Sequence, residues 1–377
     1  MRDERPNIQM EPTLLAGARP PASAAHLDVG LRQDDERTRR SLRVNHSRRA
    51  FLKAGAAVGV AASRMASGGE VWAQSGGASA SRTIQTSELE IGYEEVGPPD
   101  GFPVLLLHGF PDDIRAWDDV VPPLAAAGYR VIVPYLRGCG STRFLKPSTF
   151  RTGEQAAIGQ DVLDLADALH LPRFALAGYD WGGRAACVAA ALHPERVRAA
   201  VLIGGYTIQD VFSAPQPASP ERERALWYQW YFNTERGRLG LERNRRGICR
   251  LLWETWSPTW RFTTEVFERT AAAFDNPDFV DVSIHSYRHR NLNAPGDPRF
   301  ETAERQLVQS PTISVPTIVL YGADDGLGAP PRETPAERAL FTAQLGRRVV
   351  EGAGHFVPRE RPNVVSSAVL EVLRATK

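Results

Sequence analysis

Residues 177–183 read Ala-Gly-Tyr-Asp-Trp-Gly-Gly, where a buried apolar run gives way to a helical pattern and one carboxylic acid stands among glycines. A sharp strand-to-helix turn of this composition pushes one side chain out over the end of a sheet. The glycines are required where neighbours pack too closely for a β-carbon. The side chain so presented is Asp180. A hydroxyl in that place attacks acyl carbons, whereas a carboxylate attacks an sp3 carbon and leaves an ester on the protein. Chemistry of that kind opens epoxides or cleaves carbon–halogen bonds. An Asp beside glycines is also an ordinary turn residue, so the reading depends on what accompanies it.

Three further motifs follow apolar runs. His108-Gly109-Phe110-Pro111 comes after the run ending at Leu107, Gly322-Ala323-Asp324-Asp325 after the one ending at Tyr321, and Gly352-Ala353-Gly354-His355-Phe356 after a short run near Val350. The chain order is therefore nucleophile, acid, histidine, as in the α/β-hydrolase fold. His355 is the candidate general base, and the acid that orients it is Asp325 or Asp324. The backbone N–H groups of Phe110 and Trp181 are the candidate oxyanion hole. His108, His193 and His289 each have an ordinary structural explanation.

Positioning these groups requires a sheet. Thr83–Gln85 and Leu89–Glu94 read as an opening antiparallel pair; 103–107, 130–133, 174–177 and 199–203 read as buried strands. Ile158, Val162, Leu165 and Leu169 recur at helical spacing, with Asp161, Asp164 and Asp167 expected to face water. From about 207 to 310 the chain is crowded with Trp, Tyr, Phe and Arg and patterned as helix, as a substrate lid would be. A strand at 315–322, a helix at 336–345, a strand at 348–350 and a closing helix from Asn363 follow. The expectation is a mostly parallel eight-stranded sheet flanked by helices, with core segments 82–206 and 311–377 and a helical cap at 207–310.

From about residue 82 onward the chain resembles α/β-hydrolases of the epoxide hydrolase and haloalkane dehalogenase branch. His108-Gly109-Phe110-Pro111, Asp180-Trp181-Gly182-Gly183 and Gly354-His355-Phe356 read most like epoxide hydrolases, and Arg137-Gly138-Cys139-Gly140-Ser141 resembles a structural loop of that branch. The resemblance implies that the acid is Asp325, with Asp324 its solvent-facing neighbour. It also implies two lid tyrosines that give a hydrogen bond or proton to the epoxide oxygen. Trp227-Tyr228-Gln229-Trp230-Tyr231-Phe232 resembles the segment bearing the first donor, pointing to Tyr228, and His285-Ser286-Tyr287-Arg288 points to Tyr287. Phe110, Trp181 and Tyr231 are expected to contact a small apolar substrate. Fluoroacetate dehalogenases share the His-Gly-Phe-Pro motif but place Arg after the nucleophile to grip a carboxylate; here that residue is Trp181. Dehalogenation through the same triad is the alternative activity, and a catalytically silent binding protein the more distant one.

Composition narrows the remainder. The 377 residues carry 45 basic and 44 acidic side chains, a balance that gives no reason to expect a nucleic-acid partner. Three cysteines at 139, 187 and 249 suit neither a disulfide framework nor a structural zinc site, and no cofactor or metal is called for. No apolar run reaches the length of a membrane helix. Ser47-Arg48-Arg49-Ala50-Phe51-Leu52-Lys53 resembles a twin-arginine export signal spanning 47–73, preceded by a polar stretch at 1–46 expected to be disordered. That route implies a periplasmic or secreted enzyme, with the export machinery a transient partner. Replacing Arg48 and Arg49 together by Lys is expected to hold the precursor in the cytoplasm; export of the double variant at the normal rate, followed by cell fractionation, would contradict this.

Overall fold

The structure is a computed structural model that describes residues 81–213 and 216–376; the expected export signal at 47–73 and the stretch before it lie outside the described residues. Among the described residues nine strands form one sheet: β1 (Arg82–Gln85), β2 (Leu89–Val96), β3 (Pro103–Leu107), β4 (Arg130–Pro134), β5 (Arg143–Phe144), β6 (Phe174–Tyr179), β7 (Val197–Ile203), β8 (Thr317–Gly322) and β9 (Gln344–Val350). Eight of them lie along the path β1-β2-β4-β3-β6-β7-β8-β9, and the two-residue β5 pairs with β2 off that path. Pairings from β4 to β9 along the path are parallel, while β2 meets β1, β4 and β5 antiparallel.

The burial pattern explains why these segments are strands. All six residues of β6 and all six of β8 are buried, as expected of parallel strands covered on both faces. Chain direction across the sheet reverses at β3, whose neighbours β4 and β6 lie on opposite sides of it. A crevice beyond the carboxyl ends of the strands at such a point is where this kind of sheet binds ligands. The loops bearing His108, Asp180, Asp325 and His355 all leave carboxyl ends of strands there. Between β7 and β8 the described chain is helical, from Pro220 to Leu307, with no strand.

Two local expectations need correction. Asp161 does not face water: it is buried and accepts two hydrogen bonds of 2.7 Å from Arg137. The 137–141 loop brings that guanidinium onto the helix Gln155–Ala168, and the charge pair makes an acid tolerable on its inner face. The helix expected at 336–345 ends at Ala339, and Gln344 already begins β9. Pairing with β8 in register from Ile318–Gly346 to Gly322–Val350 overrides the local preference. The three cysteines are buried and free.

Candidate active site

The elbow between β6 and the helix Asp180–Leu192 holds Asp180 at φ 51°, a left-handed conformation that costs roughly 1–3 kcal/mol for a residue with a side chain. The surroundings leave it no alternative. A β-carbon on Gly182 would stand 2.2 Å from the Leu107 carbonyl oxygen, and one on Gly109 would stand 2.4 Å from the Asp180 β-carbon. Behind the elbow, the Tyr179 hydroxyl donates to Asp112, which also accepts from Arg359 Nε at 2.8 Å. Phe110 N–H donates to Asp180 Oδ1 at 2.8 Å, and first-turn amides such as Trp181 N–H have no partner within the helix. The helix N-terminus further favours the carboxylate.

His355 faces Asp180 across 3.6 Å (Nε2 to Oδ2) and Asp325 across 3.0 Å (Nδ1 to Oδ2). Leu327 N–H fixes the other Asp325 oxygen at 2.8 Å, while Asp324 turns to the Thr259 hydroxyl at 3.4 Å. The Trp256 carbonyl accepts both His355 N–H and Gly326 N–H, tying the acid and base loops to one point at the end of the helix Glu235–Trp256. Burial alone would lower the His355 pKa, but the two carboxylates outweigh it and raise it to about 10. Burial alone would raise that of Asp180; His355 and the Phe110 N–H outweigh it and hold the carboxyl below its ordinary value. The resting pair is thus imidazolium and carboxylate.

A cavity of about 560 Å³ reaches this pair, and Asp180, Asp325, His355 and Tyr228 lie in its wall. Tyr228 comes from the short helix Trp227–Phe232 and accepts a 3.1 Å hydrogen bond from Gln229 Nε2, which leaves its own proton free to be donated. Burial pushes its pKa up to about 12, so it stays neutral. Tyr287, from the helix Phe279–His289, stands behind it with the two rings perpendicular and 5.3 Å apart. Phe110 and Trp181 stack at 5.3 Å inside the aromatic cluster around Tyr287 and are not among the residues lining the cavity. Tyr231 is directed elsewhere: its hydroxyl packs where a β-carbon on Gly240 would be, on the long cap helix, away from the cavity lining.

A family profile for the alpha/beta hydrolase fold matches residues 103–362. The chain belongs to the α/β-hydrolase family. Epoxide hydrolase A of Mycobacterium tuberculosis is 25% identical over 328 residues, covering 79% of this chain and 98% of its own. An epoxide hydrolase of Caballeronia sordidicola is 26% identical over 316 residues, covering 77% and 92%. The crystal structure of a candidate epoxide hydrolase from Klebsiella pneumoniae is 42% identical with a TM-score of 0.75, covering 78% and 97%. This α/β-hydrolase is an enzyme with epoxide hydrolase relatives.

The cavity wall is more polar than the small apolar substrate expected from the sequence would call for. Arg184, Arg222, Arg290, Gln209 and Gln229 share the cavity wall of the hydrolase with the triad. Their spacing was readable: Arg184 is one helical turn after Asp180, and Arg290 three residues after Tyr287. What sequence lacks is the direction in which the cap folds back over the sheet.

The charged pair has a stability consequence. A histidine whose pKa rises from 6.5 to about 10 on folding contributes stability fully present below 6.5 and lost as pH climbs through about 10. The melting temperature of the wild type should therefore fall more steeply between pH 7 and 10 than that of His355→Gln. Parallel pH profiles for the two proteins would show that no imidazolium is present at rest.

Proposed function

We propose that this hydrolase opens epoxides to vicinal diols through an ester on Asp180. The observation that carries the reading is a neutral phenol, Tyr228, sharing one cavity wall with an ionised carboxylate and its histidine. An alkoxide leaves poorly unless it is protonated, and a buried phenol is a suitable donor. Asp180 attacks a ring carbon, the carbon–oxygen bond breaks, and Tyr228, backed by Tyr287, supplies the proton to the oxygen. The resulting phenolate is restored from the His355 imidazolium through solvent in the cavity.

Esterification removes the charge of Asp180, one of the two carboxylates that hold up the His355 pKa. The imidazole is then neutral when a base is needed. It takes a proton from water, the hydroxide attacks the ester carbonyl, and the N–H groups of Phe110 and Trp181 stabilise the oxyanion, a role supported for Phe110 by its hydrogen bond to Asp180. Release of the diol regenerates the carboxylate and the imidazolium. Asp325 orients the imidazole throughout. The twin-arginine pattern supports placing this chemistry in the periplasm or outside the cell.

One observation favours the dehalogenase reading: Trp181 Nε1 is buried with no hydrogen-bond partner, and an indole N–H is a halide donor. Product analysis separates the two. Tyr228→Phe and Tyr287→Phe should each slow diol formation from a simple epoxide, by roughly 10²–10³ for the better-placed donor, as for loss of an oxyanion donor elsewhere. Halide release from haloalkanes that exceeds diol formation from epoxides, and that survives both substitutions, would transfer the assignment to dehalogenation.

A further inference from the structure

Arg137 meets Asp161, and Arg359 meets Asp112 and Asp113. Among the described residues the arginines of the cavity wall have no such partner. Arg184 is half-buried and spends its Nε on the Thr207 carbonyl at 3.0 Å, and among the described residues no carboxylate stands within salt-bridge distance of it. Arg290 is also half-buried. Its Nε and one terminal nitrogen bond Ser286 at 3.1 and 2.9 Å, its guanidinium carbon lies 4.5 Å from the Tyr287 ring centre, and it too has no acidic partner among the described residues. Arg222 stands exposed in the same wall, likewise without an ion pair. With His355 protonated, four positive groups in the lining face only the two triad carboxylates.

We propose that the substrate carries an oxyanionic group, a carboxylate being its smallest form, held by Arg184 and Arg290 within a few bonds of the ring that Asp180 attacks. This rests on the epoxide-opening reading and specifies its substrate class as short epoxy acids. Arg184 lies one turn beyond the elbow, lines the same cavity wall as Asp180 and acts on its charge, so it stands near the nucleophile and not at a remote rim. A guanidinium offers paired donors that match a carboxylate. Unpaired, the wall is costly: burial, and next the charge of Arg290, push the Arg184 pKa down to about 10. A bound anion relieves both. The grip that position 181 lacks, with Trp in place of Arg, is available from position 184. Arg222 at the exposed part of the wall draws anions toward the opening.

The test compares trans-3-phenylglycidate with its primary amide, which share ring and phenyl and differ in charge. Wild-type kcat/KM should favour the acid at least tenfold, chiefly through KM, and the preference should shrink between 0.05 and 0.5 M salt. Cinnamate should inhibit competitively where cinnamamide does not. The acid-over-amide ratio should fall at least tenfold in Arg184→Gln and in Arg290→Gln, with Arg184→Lys recovering part of it. A wild type that treats the two probes alike, or a preference that persists in both Gln variants, overturns the inference while diol formation leaves the epoxide reading standing. Diol from neither probe removes both.

Discussion

The site depends on one residue forced into an unfavourable backbone conformation. Asp180 sits at φ 51° because β6 ends beneath the β3 loop with no room for a β-carbon at positions 109 or 182. Once the chain is bent there, the remaining geometry follows. The carboxylate projects past the strand ends, the Phe110 N–H meets one of its oxygens, and the helix that starts at the bend adds unpaired amides. The strain is held by parts outside the proposed chemistry: the Arg359–Asp112–Tyr179 network below, and the fully buried β6 between the largely buried β3 and β7.

A second constraint is electrostatic. His355 lies between two carboxylates, only one of which reacts in the proposed mechanism. While Asp180 is free, both carboxylates favour a protonated imidazole; in the proposed mechanism, esterification of Asp180 would remove one of them. One proton can thus serve the ring-opening step and be absent in the hydrolytic step, with no conformational change. Trp256, whose carbonyl receives amides from both the acid and the base loop, makes the cap part of the catalytic frame as well as a cover.

How much of this was legible follows from the range of the interactions. Asp180 and Asp325 could be read as candidates because each sits just past a buried strand, β6 or β8, and such strands announce themselves by continuous apolar runs; His355 follows the half-exposed β9 and was marked by its glycine-flanked motif. Asp325 is chosen over Asp324 from family resemblance; it is the one of the two whose carboxylate stands 3.0 Å from His355 Nδ1. Asp161 was misread because its partner Arg137 is 24 residues away and periodicity carries no knowledge of pairing. The 336–345 segment was misread because β9 is defined by its neighbour β8. Tyr231 and the three wall arginines show the same limit in the cap: composition places many aromatics and arginines there, but which face turns inward is decided by packing onto the sheet.

The central claim is that Asp180 forms a bond to carbon, and the origin of one oxygen atom decides it. In a single turnover with enzyme in excess over an epoxide in ¹⁸O-water, the label should appear in the Asp180 carboxylate and hardly at all in the diol, because water cleaves the ester at the carboxyl carbon. Label in the diol from the first turnover, with Asp180 unlabelled, would mean that water attacks the ring directly and that Asp180 acts only as a base.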